Sequence, residues 1–196
     1  MKTNINTNKK TVQPYSKGNN NECYTYDYAV KPILPYIPSD AVVWCPFDKE
    51  DSEFVKQISK TNKVIFSHID NGEDFFTYEP KEHWDIIVSN PPFTNKKEIF
   101  QRAKSFDKPF ALIMTLNWIN DGGFYHTFND MDLELLIFNK RMRFEMANGA
   151  NNSSPTFASA YYCKGLLPKQ LNYELLDIPR KRKTTNNSDY MQRKVA

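Results

Sequence analysis

Asn90-Pro91-Pro92-Phe93 closes the run Asp85-Ile86-Ile87-Val88-Ser89 and gathers the side chains best suited to chemistry. Two consecutive prolines cannot donate to a sheet ladder, so the apolar run predicts a strand that stops at residue 89. A carboxamide and an aromatic ring are left at its tip. The prolines also hold the backbone extended or turned, so the carbonyls around them cannot relax into a helix. The Asn90 side-chain oxygen and the Pro91 carbonyl could each accept one hydrogen of an NH2 group, while Phe93 stacks on the planar ring that carries it. Holding both hydrogens turns the nitrogen lone pair toward an electrophile without a titratable base. An ordinary strand-to-loop turn also fits the tetrapeptide, because Asn-Pro is a common turn opener. The remaining chain must decide.

The elements that would position this tip alternate between strand and helix. Ala41-Val42-Val43-Trp44-Cys45 is a continuous apolar run, as in a strand buried on both faces, and it ends in Pro46-Phe47-Asp48. Asp48 then precedes an amphipathic stretch carrying Phe54, Val55 and Ile58, with Asp51 three residues on, which predicts an N-cap at Asp48. Residues 63–67 predict a second strand, and Asn71-Gly72 a turn before Asp74-Phe75-Phe76. After the Asn90 strand, Asn95-Lys96-Lys97-Glu98 has capping-box form ahead of Ile99, Phe100 and Ala103, and Phe110-Ala111-Leu112-Ile113-Met114 is a further buried strand. This alternation predicts parallel βαβ units in a doubly wound α/β sheet, whose ligands sit outside the carboxyl ends of the strands. Residues 133–138 and 156–163 read as two more strands, and 171–178 as an edge strand; Trp118 is placed at the rim of the ligand edge.

At 196 residues and 40% hydrophobic content, the chain has the size and composition of one globular domain. Residues 1–20 read as a disordered basic arm, 21–178 as the folded domain and 179–196 as a basic disordered tail. No apolar run approaches a membrane span and the start lacks the apolar centre of a signal peptide, so a cytoplasmic protein with no membrane partner is expected. Cys23, Cys45 and Cys163 are widely spaced without CxxC pairing, which suggests neither a disulfide framework nor a metal site. The net charge of +3 is unevenly spread: residues 1–22 carry +3, residues 180–196 carry +5, and the body between them −5. Basic ends on an acidic body suit a polyanion, although solvated tails are the commoner use of such runs.

Asp-x-x-Val-x-Asn-Pro-Pro-Phe after a strand resembles the catalytic motif of S-adenosylmethionine-dependent amino-methyltransferases, in particular the small phage-type DNA adenine-N6 methyltransferases. The resemblance runs over residues 22–165, through Tyr24-Thr25-Tyr26, Trp44-Cys45-Pro46-Phe47-Asp48, Asp74-Phe75-Phe76, and the stretch from Arg143-Phe144 to Thr156-Phe157-Ala158. It implies a Rossmann-like class I methyltransferase fold, with a mostly parallel doubly wound sheet and a C-terminal antiparallel hairpin. Asn90, Pro91, Pro92 and Phe93 would then be catalytic. Thr25, Pro46, Phe47, Asp48, Asp70, Asp74 and Phe75 would bind the cofactor, with Asp70 favoured over His68, which stands where an acidic residue commonly binds the ribose. Arg141, Arg143, the loop residues Asn151 and Asn152, and Lys181 and Arg182 of the tail would bind nucleic acid. Two features depart from the family pattern: no glycine lies between Trp44 and Lys63, and Tyr26 stands where a proline is common.

The resemblance thus implies methyl transfer from S-adenosylmethionine to the N6 of a flipped-out adenine in DNA, as in restriction-modification. The same motif also fits RNA methyltransferases acting on adenine N6 or guanine N2, and protein glutamine methyltransferases. An inactive nucleic-acid-binding module of the same fold is the alternative outside enzymes.

Overall fold

A computed structural model describes residues 23–146 and 157–179 of the chain. Seven strands form the main sheet in the order β3-β2-β4-β5-β8-β6-β9. These are β2 (Val43–Cys45), β3 (Val64–Phe66), β4 (Ile86–Ser89), β5 (Phe110–Thr115), β6 (Glu134–Phe138), β8 (Ser159–Lys164) and β9 (Leu171–Glu174). β2 is parallel to β3 and β4, β4 to β5, and β6 to β9, whereas β8 is antiparallel to β5 and β6. One reversed strand inserted near the end of an otherwise parallel sheet is the arrangement of a Rossmann-like class I methyltransferase. The expected hairpin is realised as the antiparallel pair β6 and β8, but the chain does not turn directly from one to the other. Between them, β7 (Phe144–Met146) leaves the sheet to pair antiparallel with β1 (Cys23–Thr25) in a separate two-stranded ribbon.

Both faces of the sheet are covered, which explains the unbroken apolar runs of β4 and β5. On one face, α1 (Asp27–Val30), the 3-10 segment Lys31–Tyr36 and α2 (Glu53–Ile58) pack Val30, Ile33, Phe54 and Ile58 against Val43, Val88, Ile113 and Tyr161. On the other, α3 (Lys96–Ser105) and α4 (Gly122–Phe128) pack Ile99, Phe100 and Phe128 against Ile87, Leu112 and Tyr162. Alternate residues of each strand point to opposite layers, as the pleat requires. Asp85 enters β4 by accepting from the Val42 amide at 2.8 Å, so the first residue of the recognised motif anchors the strand at the end away from its tip.

Three local expectations are corrected. The cap of α2 is Ser52, whose Oγ accepts from the Val55 amide at 3.2 Å, and Asp48 is buried instead. Both residues are good caps, but a carboxylate held by neighbouring hydroxyls leaves the helix end to the serine. No capping box forms at α3, because Asn95 adopts a left-handed backbone with φ 54° and its side chain makes no cap bond. Trp118 is not at the rim: it lies in the core against Phe100, Phe128 and Tyr162, 1% exposed. Cys45 and Cys163 are buried free thiols, as expected of small core residues.

Candidate active site

The chain runs from β2 outward to β3 and returns to β4 on the other side of β2, which opens a crevice at the carboxyl ends of these strands. A cavity of about 680 Å³ occupies that crevice. That volume is within the range that takes a cofactor-sized ligand. Its wall is built from the loop after β2, the turn after β3, the Asn90 tip of β4, and the β1–β7 ribbon.

Asn90 is the best defined part of the wall. Its Nδ2 donates to Thr25 Oγ1 at 3.0 Å, while its Oδ1 is buried and has no hydrogen-bond partner among the described residues. A buried carboxamide oxygen without a donor costs about 1–3 kcal/mol, which a ligand's donor would recover. Such an atom waits for an N–H. Pro91, Pro92 and Phe93 continue the same wall. The Phe93 ring meets Phe157 at 5.4 Å and Phe144 at 6.2 Å between centroids, both edge to face. These rings frame an apolar slot beside Asn90 that suits a planar, uncharged ring.

Another part of the wall is acidic. Asp48, Asp51, Glu53 and Asp74 line it, against Lys49 and His68. Asp48 is the buried member: Ser89 Oγ donates to its Oδ2 at 2.5 Å, and burial pushes its carboxyl up to about 6, opposed in part by the Ser89 and Ser52 hydroxyls. A carboxylate desolvated to that degree gains most from a cation brought by a ligand. Trp44 Nε1 donates to Ser67 Oγ at 3.0 Å and the Asp48 amide to the Ser67 carbonyl at 3.2 Å, so the ends of β2 and β3 are tied together behind this loop.

Most residues singled out from the sequence meet here. Thr25, Pro46, Phe47, Asp48, Asp74, Phe75, Asn90, Pro91, Pro92 and Phe93 all line the cavity. Phe75 does so from the core, with its ring 4.8 Å from that of Phe47, and Asp74 Oδ1 accepts from the Phe76 amide at 3.0 Å to hold the turn. Asp70 is not among the lining residues; it pairs with Lys49 at 2.7 Å, while His68, whose Nδ1 accepts from the Asp70 amide at 3.1 Å, does line the cavity. Arg141 and Arg143 lie between β6 and β7 and do not line it; Tyr28 Oη accepts from the Arg143 amide at 3.0 Å and fixes that segment. Asn151, Asn152, Lys181 and Arg182 lie outside the described residues. Phe144 and Phe157 are wall residues that the sequence did not single out by role, although both fall in segments that carry the resemblance.

No metal-binding group of three or more His, Cys, Asp or Glu side chains occurs among the described residues, and no helix there is long and apolar enough to cross a membrane. No protein-family model and no curated protein matches the sequence. Several solved structures are similar, among them two at low identity. One is a predicted O-methyltransferase from Agrobacterium tumefaciens, 11% identical with a TM-score of 0.38, covering 78% of this chain and 88% of its own. The other is a possible methylase from Clostridium difficile 630, 13% identical with a TM-score of 0.31, covering 72% of this chain. This chain spans 34% of the length of the latter.

Proposed function

We propose that the chain is a DNA methyltransferase that moves the methyl group of S-adenosylmethionine to the exocyclic N6 of adenine. The observation that carries this reading is the buried Oδ1 of Asn90, without a partner among the described residues, beside an aromatic slot. An exocyclic amine supplies the missing N–H, and the flat base that bears it fills the space beside Phe93, Phe144 and Phe157. An adenine within a duplex is out of reach, so it must be flipped from the stack, at a cost of a few kcal/mol offset by the new stacking and hydrogen bonds.

The acidic part of the cavity fits the methyl donor, whose sulfonium and ammonium groups are both cationic. Asp48 and its neighbours Asp51 and Glu53 would hold those charges, and Phe47 with Phe75 would flank the adenine of the cofactor. When bound, S-adenosylmethionine supplies an electrophilic methyl group. Asn90 Oδ1 and the Pro91 carbonyl accept the two amine hydrogens and aim the lone pair, and the phenylalanine slot excludes water. None of these residues has to act as a base, because the alkylated arylamine is strongly acidic and gives up its proton readily as the product leaves the slot for solvent. The basic Arg141 and Arg143 and the basic tail would contribute backbone contacts that set affinity rather than sequence.

Purified protein incubated with deuteromethyl-labelled S-adenosylmethionine and methylation-free genomic DNA, followed by digestion to nucleosides, tests the assignment. Labelled N6-methyladenine is the expected product. Label appearing only in parallel RNA or protein arms would move the assignment to another acceptor, and label nowhere would overturn it.

A further inference from the structure

The Thr25 hydroxyl occupies a position that the hydrogen-bond count of Asn90 makes decisive. It accepts from Asn90 Nδ2 at 3.0 Å, and Thr25 itself lines the cavity. A hydroxyl has one hydrogen and two lone pairs, so it can meet either end of a carboxamide. While its hydrogen is uncommitted, the amide can turn over, with Thr25 donating to Oδ1. The atom then facing the aromatic slot is an NH2, which opposes an incoming amine. The destination of the Thr25 hydrogen selects between these two states. If an oxygen of a ligand in the cavity accepts it, the hydroxyl can only accept from Asn90, and Oδ1 is fixed toward the slot.

Resting on the methyl-transfer reading above, we propose that Thr25 is a positioning residue coupling the two parts of the cavity. The carboxylate of the methyl donor takes the Thr25 hydroxyl hydrogen, and this sets the Asn90 amide to accept the target amine. The ribbon supports the arrangement, because its register places Thr25 opposite Phe144, whose ring packs edge to face on Phe93. One two-stranded element therefore carries both the orienting hydroxyl and a wall of the slot. Donor binding prepares the acceptor subsite, and by reciprocity the acceptor amine tightens the donor by the same factor.

The test is a binding cycle that needs no turnover. A single-stranded oligodeoxynucleotide with one adenine is titrated with and without S-adenosylhomocysteine, beside a matched oligonucleotide carrying unsubstituted purine, which lacks the amine. In the wild type, S-adenosylhomocysteine tightens the adenine oligonucleotide by about five-fold or more and leaves the purine one unchanged. Thr25→Val, close in shape but without the hydroxyl, brings that factor to about one, and Thr25→Ser retains it. In nitrogen-15 spectra, S-adenosylhomocysteine shifts the Asn90 side-chain amide in the wild type and in Thr25→Ser but not in Thr25→Val. Full coupling in Thr25→Val, loss of coupling in Thr25→Ser, or equal tightening of the purine oligonucleotide would overturn the inference alone. Failure of the wild type to bind S-adenosylhomocysteine would overturn the methyl-transfer reading with it.

Discussion

Replacing Asp48 by asparagine removes the most heavily desolvated carboxylate of the cavity, and the structure sets both the size and the sign of the effect. The folded protein holds this carboxyl at about 6 against an ordinary value of 3.8. That difference of about two pH units corresponds to about 3 kcal/mol at 1.4 kcal/mol per unit. Between pH 3.8 and 6 the folded state keeps a proton that the unfolded state has lost, so stability falls as pH rises through this window. Above it, the folded protein bears the full cost of the buried charge. The neutral carboxamide of the Asp48→Asn variant would carry no such cost, and its oxygen can still accept from Ser89. The variant should therefore melt roughly 6–12 °C higher than the wild type at pH 8, with the difference shrinking to near zero by about pH 4. The charged or titratable groups around Asp48 are Lys49 paired with Asp70, Asp51, Glu53, His68, Asp74, Cys45 and Tyr161. Because they are present in both proteins, the wild-type-minus-variant difference isolates Asp48. Thermal unfolding of both proteins without ligand across roughly pH 4–8 is the assay. A difference that does not vary with pH, or one that favours the wild type at the alkaline end, would show that burial does not raise the Asp48 carboxyl.

Other perturbations follow from particular contacts. Asn90→Ala should reduce methyl transfer by about 10²-fold or more, through loss of amine positioning, while changing stability by only about 1 kcal/mol, since among the described residues the side chain bonds to Thr25 alone; steady-state kinetics and denaturant melts check the two halves. Phe157→Ala removes one wall of the slot and should weaken acceptor binding by about 1–3 kcal/mol, leaving the affinity for S-adenosylhomocysteine unchanged, as read by titration with each ligand. Trp118→Phe should be close to neutral in stability, because the buried Trp118 Nε1 has no partner among the described residues and its loss relieves a cost of about 1–3 kcal/mol against the smaller ring. Calorimetric unfolding checks it, with ligand affinity unaffected because Trp118 does not line the cavity.

The sheet was legible because β2, β4 and β5 are buried on both faces, so their runs are apolar without interruption. The proline pair after Asn90 likewise fixed the end of β4 from local chemistry alone. What local patterns could not supply was the competition between distant groups. Asp48 and Ser52 are both competent caps, and the Ser89 hydroxyl brought from β4 joins that of Ser52 in holding Asp48 inward. Trp118 has the composition of a rim residue, yet Phe100 from α3, Phe128 from α4 and Tyr162 from β8 close over it. The β1–β7 ribbon pairs segments far apart in the chain, and no period in the sequence announces it. For that reason Thr25 was recognised only through family likeness, and its bond to Asn90 emerged from the fold.

If Asn90 holds an amine for methylation, the mass of a defined oligonucleotide reports it. A synthetic oligodeoxynucleotide with a single adenine is incubated with S-adenosylmethionine and either wild type or Asn90→Ala, and its intact mass is followed over time. The expected result is a gain of one methyl group on the adenine oligonucleotide with wild type, none on a matched oligonucleotide bearing unsubstituted purine, and little with the variant. Equal methylation by Asn90→Ala, or a methyl group gained by the purine control, would contradict it.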